Sequence, residues 1–252
     1  MVWIGCSGWS YAHWRGGIYP DRGSTESWLE LYAERFDTVE VNATFYRLPT
    51  RVTVEGWASR TPPHFCFAVK GSRYLTHVRR LRDLDEGLRR FDERIQPLRS
   101  ASKLGPLLWQ LPRGFHRDDA RLESALASLP AGRHAFEFRH ESWFVEDVYE
   151  LLRAHGAALV VADRAPADPS PWVPTTDWSY VRFHVGQGRN GNYTPGQLDH
   201  WAERIGEHAG DVYAYFNNDW EGFAVANAER LRELLGQDVA GGVETRDARR
   251  SA

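Results

Sequence analysis

Lysine is nearly absent from this chain of 252 residues. Lysine and arginine together number 31, and only Lys70 and Lys103 are lysines. Cysteine is equally scarce, and two residues, Cys6 and Cys66, argue against a disulfide framework or a zinc site built on cysteines. No stretch approaches the ~18 uninterrupted apolar residues of a membrane helix. The first residues also lack the basic and apolar segments of a signal peptide. We therefore expect a cytoplasmic protein with no membrane partner.

An excess of positive charge is missing as well. The formal net charge is −3 and the pI is about 6.4, so nothing in the overall charge attracts nucleic acid or an anionic membrane. The hydrophobic content of 42% is enough for one substantial core. These values favour a single large domain.

Strand-like and helix-like segments alternate along the chain. Eight short apolar stretches are predicted strands: residues 3–6, 38–42, 65–70, 107–110, 134–144, 158–163, 180–185 and 212–217. Helical patterns separate most of them, and Thr194, Pro195 and Gln197 predict a capped helix start. This order predicts an α/β fold, a (β/α)8 TIM-barrel-like single domain, with a doubly wound open sheet as the alternative.

Two segments depart from the alternation. Four prolines between the sixth and seventh strands predict that a proline-rich loop replaces helix 6, the helix expected there. The end of the chain is polar and rich in glycine and arginine. We therefore predict a barrel over residues 1–236 and a disordered tail over residues 237–252.

The stretch HAFEFRHESWF, residues 134–144, sets the expected register. Phe136 and Phe138 alternate with Glu137 and Arg139, which places the two pairs on opposite faces of a strand. Because helices flank the strand, we predict that the phenylalanines face helices and that the charges face the barrel interior. The same reasoning applied to every strand predicts an inward ring at the carboxyl ends. Its members are Ser7, Glu40, Asn42, Lys70, Gln110, Glu137, Arg139, Asp163, Arg182, His184, Tyr215 and Asn217.

Three interpretations of this ring are open. A buried ion-pair lattice that merely closes the barrel would be costly, which favours a functional pocket. Glu40, Glu137, Asp163 and His184 are suitable metal ligands, but the nearby cations disfavour a divalent ion, so we expect no metal. The cations instead suit a phosphate, a carboxylate or a sugar acid.

Two interpretations of Lys70 are open. A lysine in so arginine-rich a chain suggests that an amine is required there, and the alternative is an ion pair with Glu40. The run GQGRNG, residues 186–191, also has two readings: a mobile lid, or a phosphate grip made by backbone N–H groups and Arg189.

At this point the motifs resemble a known family. SGWSYAHWRGGIYP, VEVNATFYRLP, FAVKGSRYLTH, FEFRHESWF and YFNND, with shorter stretches between them, resemble the YecE-like family, a TIM-barrel-like domain of unknown function (DUF72). The resemblance covers about residues 3–236 and implies the barrel fold. Val185 stands where members often have a glycine. The family implies no established reaction.

We expect an enzyme that uses acid–base chemistry on a small anionic or sugar-like substrate, with no cofactor. A nucleic-acid-binding or nucleic-acid-processing barrel and a non-catalytic ligand sensor are the alternatives, and the oligomeric state stays open. The candidate catalytic residues are Glu40, Lys70, Glu137, Asp163 and His184. The candidate substrate-binding residues, several of them taken from the family resemblance, are Asn42, Tyr46, His77, Gln110, Arg139, Trp143, Arg182, Asn217 and Asn218.

Overall fold

The structure, a computed structural model, describes residues 1–165 and 169–237. Eight parallel strands form one sheet in the order β1-β8-β7-β6-β5-β4-β3-β2. The strands are β1 Val2–Cys6, β2 Thr38–Val41, β3 Cys66–Lys70, β4 Leu104–Gln110, β5 His134–Glu137, β6 Ala157–Arg164, β7 Trp178–Val185 and β8 Asp211–Phe216. This is the predicted (β/α)8 barrel, nearly closed, with all carboxyl ends on one face.

Helices cover the outside of the sheet. They are α1 Trp28–Ala33, α2 Ala43–Tyr46, α3 Arg51–Ser59, α4 Asp85–Ser100, α5 Asp119–Ser128, α6 Glu146–Ala154, α7 Pro195–Gly206 and α8 Phe223–Leu234. Thr194 and Gln197 form the predicted capping box at the start of α7. Asp118 accepts a hydrogen bond from the backbone N–H of Arg121 and caps α5. None of these helices is long and apolar enough to cross a membrane, as far as the chain is described.

Two predictions fall partly or wholly on residues outside the described ranges. Between β6 and β7 the described residues, Ala165 and 169–177, contain no helix, but residues 166–168 are not described, so replacement of helix 6 by a loop stays a prediction. The predicted disordered tail lies outside the described residues except for Gln237. That side chain donates a hydrogen bond to the backbone oxygen of Val2.

Side chains alternate between two separate apolar clusters, as a barrel requires. The larger cluster lies between the sheet and the helices and includes Phe136 and Phe138. The smaller one fills the barrel interior and includes Ala68, Ala158, Tyr180 and Tyr215. Phe136 and Phe138 therefore face helices as predicted. The register that the β5 alternation predicted is confirmed.

The seam of the barrel lies between β1 and β2, and a tyrosine bridges it. The Tyr32 hydroxyl accepts a hydrogen bond from the backbone N–H of Cys6 and donates one to the backbone oxygen of Thr38. A Cβ atom at Gly5 would lie 2.3 Å from that Thr38 oxygen, so only glycine allows the two strands this approach. One hydroxyl thus satisfies a buried backbone group on each side of the seam.

Candidate functional site

Polar side chains from seven of the eight strands, or from the residues that follow them, converge at the carboxyl ends of the barrel. Each predicted member of this group contacts another member or lies beside one through its charge. We call these residues the polar ring: Ser7, Glu40, Asn42, Lys70, Gln110, Glu137, Arg139, Arg182, His184 and Asn217. The carboxyl end is the face on which TIM barrels assemble active sites.

Arg182, on β7, is the centre of the polar ring. Its side chain is only 1% exposed. Nε and Nη2 donate to the two oxygens of Glu40 at 2.9 and 2.7 Å, and Nη1 donates to Glu137 Oε2 at 2.5 Å. A bidentate pair of this kind fixes the guanidinium plane as well as its charge. Arg182 therefore ties β2 to β5 across the interior of the barrel.

Glu40 is saturated with donors. Its Oε1 accepts hydrogen bonds from Ser7 and Asn42 at 2.7 and 3.1 Å, in addition to Arg182. Its Oε2 accepts from the Tyr180 hydroxyl at 2.8 Å. Burial alone would raise the pKa of the Glu40 carboxyl, but the charge of Arg182 holds it below its usual value. A carboxylate held this way has little capacity to exchange protons with a substrate.

Glu137 is also saturated. Gln110 donates to Oε2 at 2.8 Å, and Arg139 donates to Oε1 at 2.8 Å. Arg164 donates to the same Oε1. Burial would raise the pKa of Glu137, but the charge of Arg182 and the histidine beside it hold it well below its usual range. Both carboxylates are therefore ionised and serve to position cations.

Above the two carboxylates lies a layer of cations with unused donors. Arg139 donates only through Nε, so its terminal nitrogens have no hydrogen-bond partner in the described parts of the chain. Arg164 leaves Nε buried and unpartnered in the same sense. Their side chains are 16% and 25% exposed. Together with Lys70 and Arg182, four cationic groups face two carboxylates in this part of the barrel.

The two histidines of the site differ in how they are held. His184 Nε2 lies 3.2 Å from Glu137 Oε1, and Nδ1 lies 3.2 Å from the side-chain nitrogen of Asn217. Because an amide nitrogen can only donate, Nδ1 is the acceptor and Nε2 carries the proton. Burial lowers the pKa of His184 to about 4. His77 packs against the Phe45 ring, and burial and the charge of Lys70 lower its pKa to about 4. Both imidazoles are neutral near pH 7.

The described residues hold no group of three or more histidine, cysteine, aspartate or glutamate side chains placed to bind a metal ion. Outside the polar ring, the described part of the chain forms further cavities. One of about 370 Å³ adjoins the ring beside Val185 and Gly186. Another, of about 480 Å³, lies at the opposite end of the barrel, between Trp3, Arg133 and Tyr213. The second is too far along the strands to share ligands with the ring.

Known proteins share this architecture over nearly the whole chain. A family described as "Protein of unknown function DUF72" matches residues 3–250. The chain belongs to the DUF72 family. It is similar to the UPF0759 protein YunF of Bacillus subtilis, with 29% identity over 96% of this chain and 97% of YunF. It is also similar to the UPF0759 protein YecE of Escherichia coli, with 33% identity over 66% of this chain and 60% of YecE.

Solved DUF72 structures have the same fold. A DUF72 family protein of Thermotoga maritima superposes with a TM-score of 0.84 at 32% identity, covering 94% of this chain and all of that one. A DUF72 family protein of Enterococcus faecalis gives a TM-score of 0.80 at 21% identity, which supports the fold alone. The family resemblance read from the motifs is therefore confirmed.

The predicted inward orientation of Asp163 in this DUF72 barrel is wrong. Its Oδ2 accepts a hydrogen bond from Trp201 Nε1 of α7 at 2.9 Å, on the outer face of β6. Burial raises the pKa of Asp163 despite that bond. Both faces of β6 are apolar, so alternation gives no basis for choosing between them. The inward residue at this end of β6 is Arg164, which the sequence reasoning missed because it ended the strand one residue early.

Trp143 does not line the site either. It is fully buried, its ring stacks on Phe138 at 4.7 Å, and its Nε1 donates to the backbone oxygen of Phe115. The ring thus packs behind β5 and supports the turn that carries Arg139. A motif position can serve packing as readily as binding, and the sequence offers no signal that separates the two.

Three other predicted binding residues lie on the rim of the polar ring. Tyr46 is 80% exposed at the end of α2. His77 makes no hydrogen bond to the polar ring in the described chain but packs against Phe45, which in turn lies beside Lys70. Asn218 donates to the backbone oxygen of Gly191 at 3.3 Å and leaves its own oxygen buried without a partner in the described chain. Asn42 likewise has an unpartnered buried oxygen. These two oxygens and the free arginine nitrogens would complement a ligand that carries both hydroxyl groups and negative charge.

The hypothesis that backbone N–H groups of residues 186–191 hold a phosphate is wrong for most of these groups, because they already donate hydrogen bonds within the protein. Gly186, Gly188 and Gly191 donate their N–H groups to backbone oxygens of the same loop, and Gln187 donates to the side chain of Gln197. A phosphate nest needs several adjacent N–H groups free and converging. In this loop most of these N–H groups instead donate hydrogen bonds that stabilise the conformation of the loop.

Two residues in the barrel interior were also missed. Tyr180 lies two positions before Arg182 on β7 and so shares its inward face, and it donates to Glu40. Thr38 lies two positions before Glu40 on β2 and hydrogen-bonds the Tyr215 hydroxyl at 2.7 Å. The same alternation that gave Arg182 and Glu40 contains both residues. Tyr215 belongs to this deeper layer and not to the mouth of the site.

Proposed function

We propose that the polar ring binds a small anionic, hydroxyl-bearing ligand, such as a phosphate, a carboxylate or a sugar acid, and that the protein acts on it as an enzyme. One observation carries the proposal. The two carboxylates are fully used by internal donors, while Arg139, Arg164 and Lys70, at the carboxyl end of the barrel, keep donors without a partner in the described chain. A positive pocket of this kind lowers the free energy of an incoming anion.

The geometry also reduces the number of residues that could act as acid or base on a substrate. Glu40 and Glu137 were candidate acid–base catalysts, but both are ionised and without a free lone pair toward the mouth, so we assign them a positioning role. His184 is neutral and held at both ring nitrogens. The remaining group that can change protonation near neutral pH and face a ligand is Lys70. An enzyme is favoured over a passive sensor because a sensor needs no such group.

The first experiment measures anion binding. Inorganic phosphate, sulfate, gluconate and glycerol 3-phosphate would be titrated against the protein by calorimetry and by thermal shift, since a ligand of the native state raises its melting temperature. We expect Arg139→Gln and Arg164→Gln each to weaken binding roughly 10-fold or more, because a charge-assisted hydrogen bond contributes about 1.5 to 3 kcal/mol. Arg94→Gln, on the exposed face of α4, is the matched control and should bind as the wild type does.

Two results would refute the proposed anion site. If none of these anions raises the melting temperature at millimolar concentration, or if Arg139→Gln and Arg94→Gln bind equally well, the anion pocket is refuted. A ligand that binds but is not converted by the wild-type protein under any assay of a broad substrate screen would favour the sensor.

Nucleic acid is the second candidate, and one observation supports it. Tyr46, Tyr74 and Trp220 are 80%, 50% and 59% exposed in the segments that follow β2, β3 and β8, where Arg47 and Arg73 also lie. Stacking aromatics beside arginines are typical of single-strand binding surfaces. Fluorescence anisotropy with a labelled single-stranded oligonucleotide at 50 and 200 mM salt tests it, because phosphate contacts give a steep salt dependence. No binding at 50 mM salt would remove this candidate.

A further inference from the structure

We propose that Lys70 is an amine nucleophile that forms a Schiff base with an aldehyde or ketone group on the anion held by Arg139 and Arg164. The inference rests on the proposed anion site and adds a covalent step and a substrate class to it. Lys70 ends β3 inside the polar ring, 8% exposed.

The surroundings of Lys70 do not suit a structural ion pair. No carboxylate lies within 4.0 Å of its Nζ, and Nζ has no hydrogen-bond acceptor among residues 1–165 and 169–237. The oxygens of Glu40 are occupied by other donors. The expected alternative, an ion pair with Glu40, is therefore wrong. Instead Nζ lies 4.3 Å from the centre of the Phe45 ring, in the field of Arg182 and Arg139.

The second lysine of the chain shows what a structural lysine looks like here. Lys103 Nζ donates to the backbone oxygens of Ala58 and Thr61 at 2.6 Å each, and to the Thr61 hydroxyl at 3.1 Å. All three ammonium protons have acceptors, although burial still lowers the pKa of Lys103. Lys70 is buried beside other cations and has no such acceptors in the described chain. The face of the Phe45 ring favours the ammonium form, but burial and the neighbouring cations shift the balance toward the neutral amine.

The titration of Lys70 agrees with this geometry. Burial, with the charge of Arg182 added, lowers the pKa of Lys70 to about 8, and Glu40 and Glu137 only partly oppose the shift. A substantial fraction of the amine is thus unprotonated in mildly alkaline solution. Arginine could not serve this purpose, since its guanidinium stays protonated. This would explain a lysine at the one inward cation position of β3.

Formation of the Schiff base at Lys70 would proceed through a carbinolamine. The neutral Nζ attacks the carbonyl carbon, a C–N bond forms, and one amine proton moves to the former carbonyl oxygen to give a carbinolamine. That hydroxyl group takes a proton from solvent and leaves as water, which produces the protonated imine. Arg139 and Arg164 would hold the phosphate or carboxylate of the substrate and thereby place the carbonyl over Nζ.

The test traps the imine by reduction. The full-length protein is incubated at pH 8 with pyruvate, glyoxylate or glycolaldehyde phosphate and then with sodium cyanoborohydride, and the modified residues are located by mass spectrometry. Uncharged glycolaldehyde is the matched probe. Lys103 is the internal control, and so is the amine of Met1, which is paired with Asp211. We expect a charged carbonyl compound to label Lys70 at least 10-fold more than Lys103. Inorganic phosphate should suppress the label, and Arg139→Gln should reduce it without reducing labelling by glycolaldehyde.

The outcomes separate the two proposals. If phosphate raises the melting temperature but no carbonyl compound labels Lys70 above Lys103, the anion site stands and the Schiff-base chemistry is refuted. If neither binding nor labelling occurs, both are refuted. Equal labelling of Lys70 by glycolaldehyde and by its phosphate also overturns the inference, because the anion then has no part in it. Lys70→Arg, checked for folding by circular dichroism, should lose the label at this position.

Discussion

Arg182 and its two glutamates form a buried cluster whose energetic cost suggests a purpose beyond stability. Ionic groups out of water carry a desolvation penalty of several kcal/mol each, and apolar replacements are often as stable. In this barrel one of these carboxylates, Glu137, also contacts Arg139, Arg164 and His184 at the mouth. The cluster is best understood as the support of a preorganised cationic surface.

The first prediction concerns Glu137. Replacement by glutamine keeps the shape but removes the charge that compensates Arg182, Arg139 and Arg164. We expect Glu137→Gln to lose about 3 kcal/mol or more of unfolding free energy, because breaking a buried pair leaves uncompensated charge. Urea denaturation at pH 7 measures it. Glu93→Gln, in an exposed pair with Arg89 on α4, should match the wild type. Equal stability of the two variants would contradict the assigned role of Glu137.

At the scale of the element, the seam between β1 and β2 is where the barrel depends on a side chain in place of a strand ladder. Strand pairings are found between the other neighbours around the described sheet. At the seam, the Tyr32 hydroxyl connects the backbones of Cys6 and Thr38. The hydrogen bond from Ser7 to Glu40 connects the same two strands within the polar ring.

The second prediction removes that hydroxyl. Tyr32→Phe leaves a buried N–H and a buried C=O without their partner, so we expect a loss of about 1 to 3 kcal/mol in unfolding free energy. Tyr149→Phe on α6 is the control, since the Tyr149 hydroxyl makes no hydrogen bond within the described chain, and its effect should be small. Denaturation of both variants side by side measures the difference. A Tyr32→Phe protein as stable as Tyr149→Phe would show that water replaces the hydroxyl at the seam.

The same scale shows what could be predicted from the sequence. On β5 the charged and aromatic residues alternate, and at the end of β7 Arg182 and His184 alternate with Val181 and Phe183. Polarity therefore distinguishes inside from outside, and Glu137 and Arg182 were assigned correctly. Strand β6 is apolar on both faces, so the polar residue at its end could point either way. Asp163 was assigned inward because it is charged, whereas a tryptophan on α7 satisfies it from outside. That partner is 38 residues away, and a local pattern cannot reveal it.

Over the whole molecule, the barrel divides its interior by depth. The amino end and middle contain aromatic and small side chains such as Trp178, Tyr180, Ala135 and Ala158. The polar ring lies only at the carboxyl end. This division follows from alternation combined with strand direction, and so it was predictable. The hydrogen-bond network inside the ring, including the locked state of both carboxylates, depends on distances between strands far apart in sequence and could not be predicted.

The last prediction concerns the pH dependence of the stability of the whole molecule. Burial lowers the pKa of His184 from 6.5 to about 4. The His184 imidazole therefore binds a proton less readily in the native state than in the unfolded chain. The stability that comes from the neutral imidazole is fully present above about pH 6.5 and is lost as the pH falls toward 4. By linkage this contributes a loss of about 2 kcal/mol between pH 7 and pH 5. The pKa of Glu137 lies well below this range in the native state, so its own loss occurs at lower pH.

Urea denaturation at pH 7, 6 and 5 checks this dependence. His184→Gln, whose side chain does not titrate, should lose about 2 kcal/mol less than the wild type over that range. His155→Gln, exposed just after α6, is the matched control and should follow the wild type. If His184→Gln loses as much stability as the wild type, folding does not lower the pKa of this imidazole. If the variant loses more than the wild type, the imidazole is charged in the native state near pH 7. The pairing of His184 with Glu137 would then be an ion pair, and the polar ring would carry one more positive charge than the geometry of Asn217 implies.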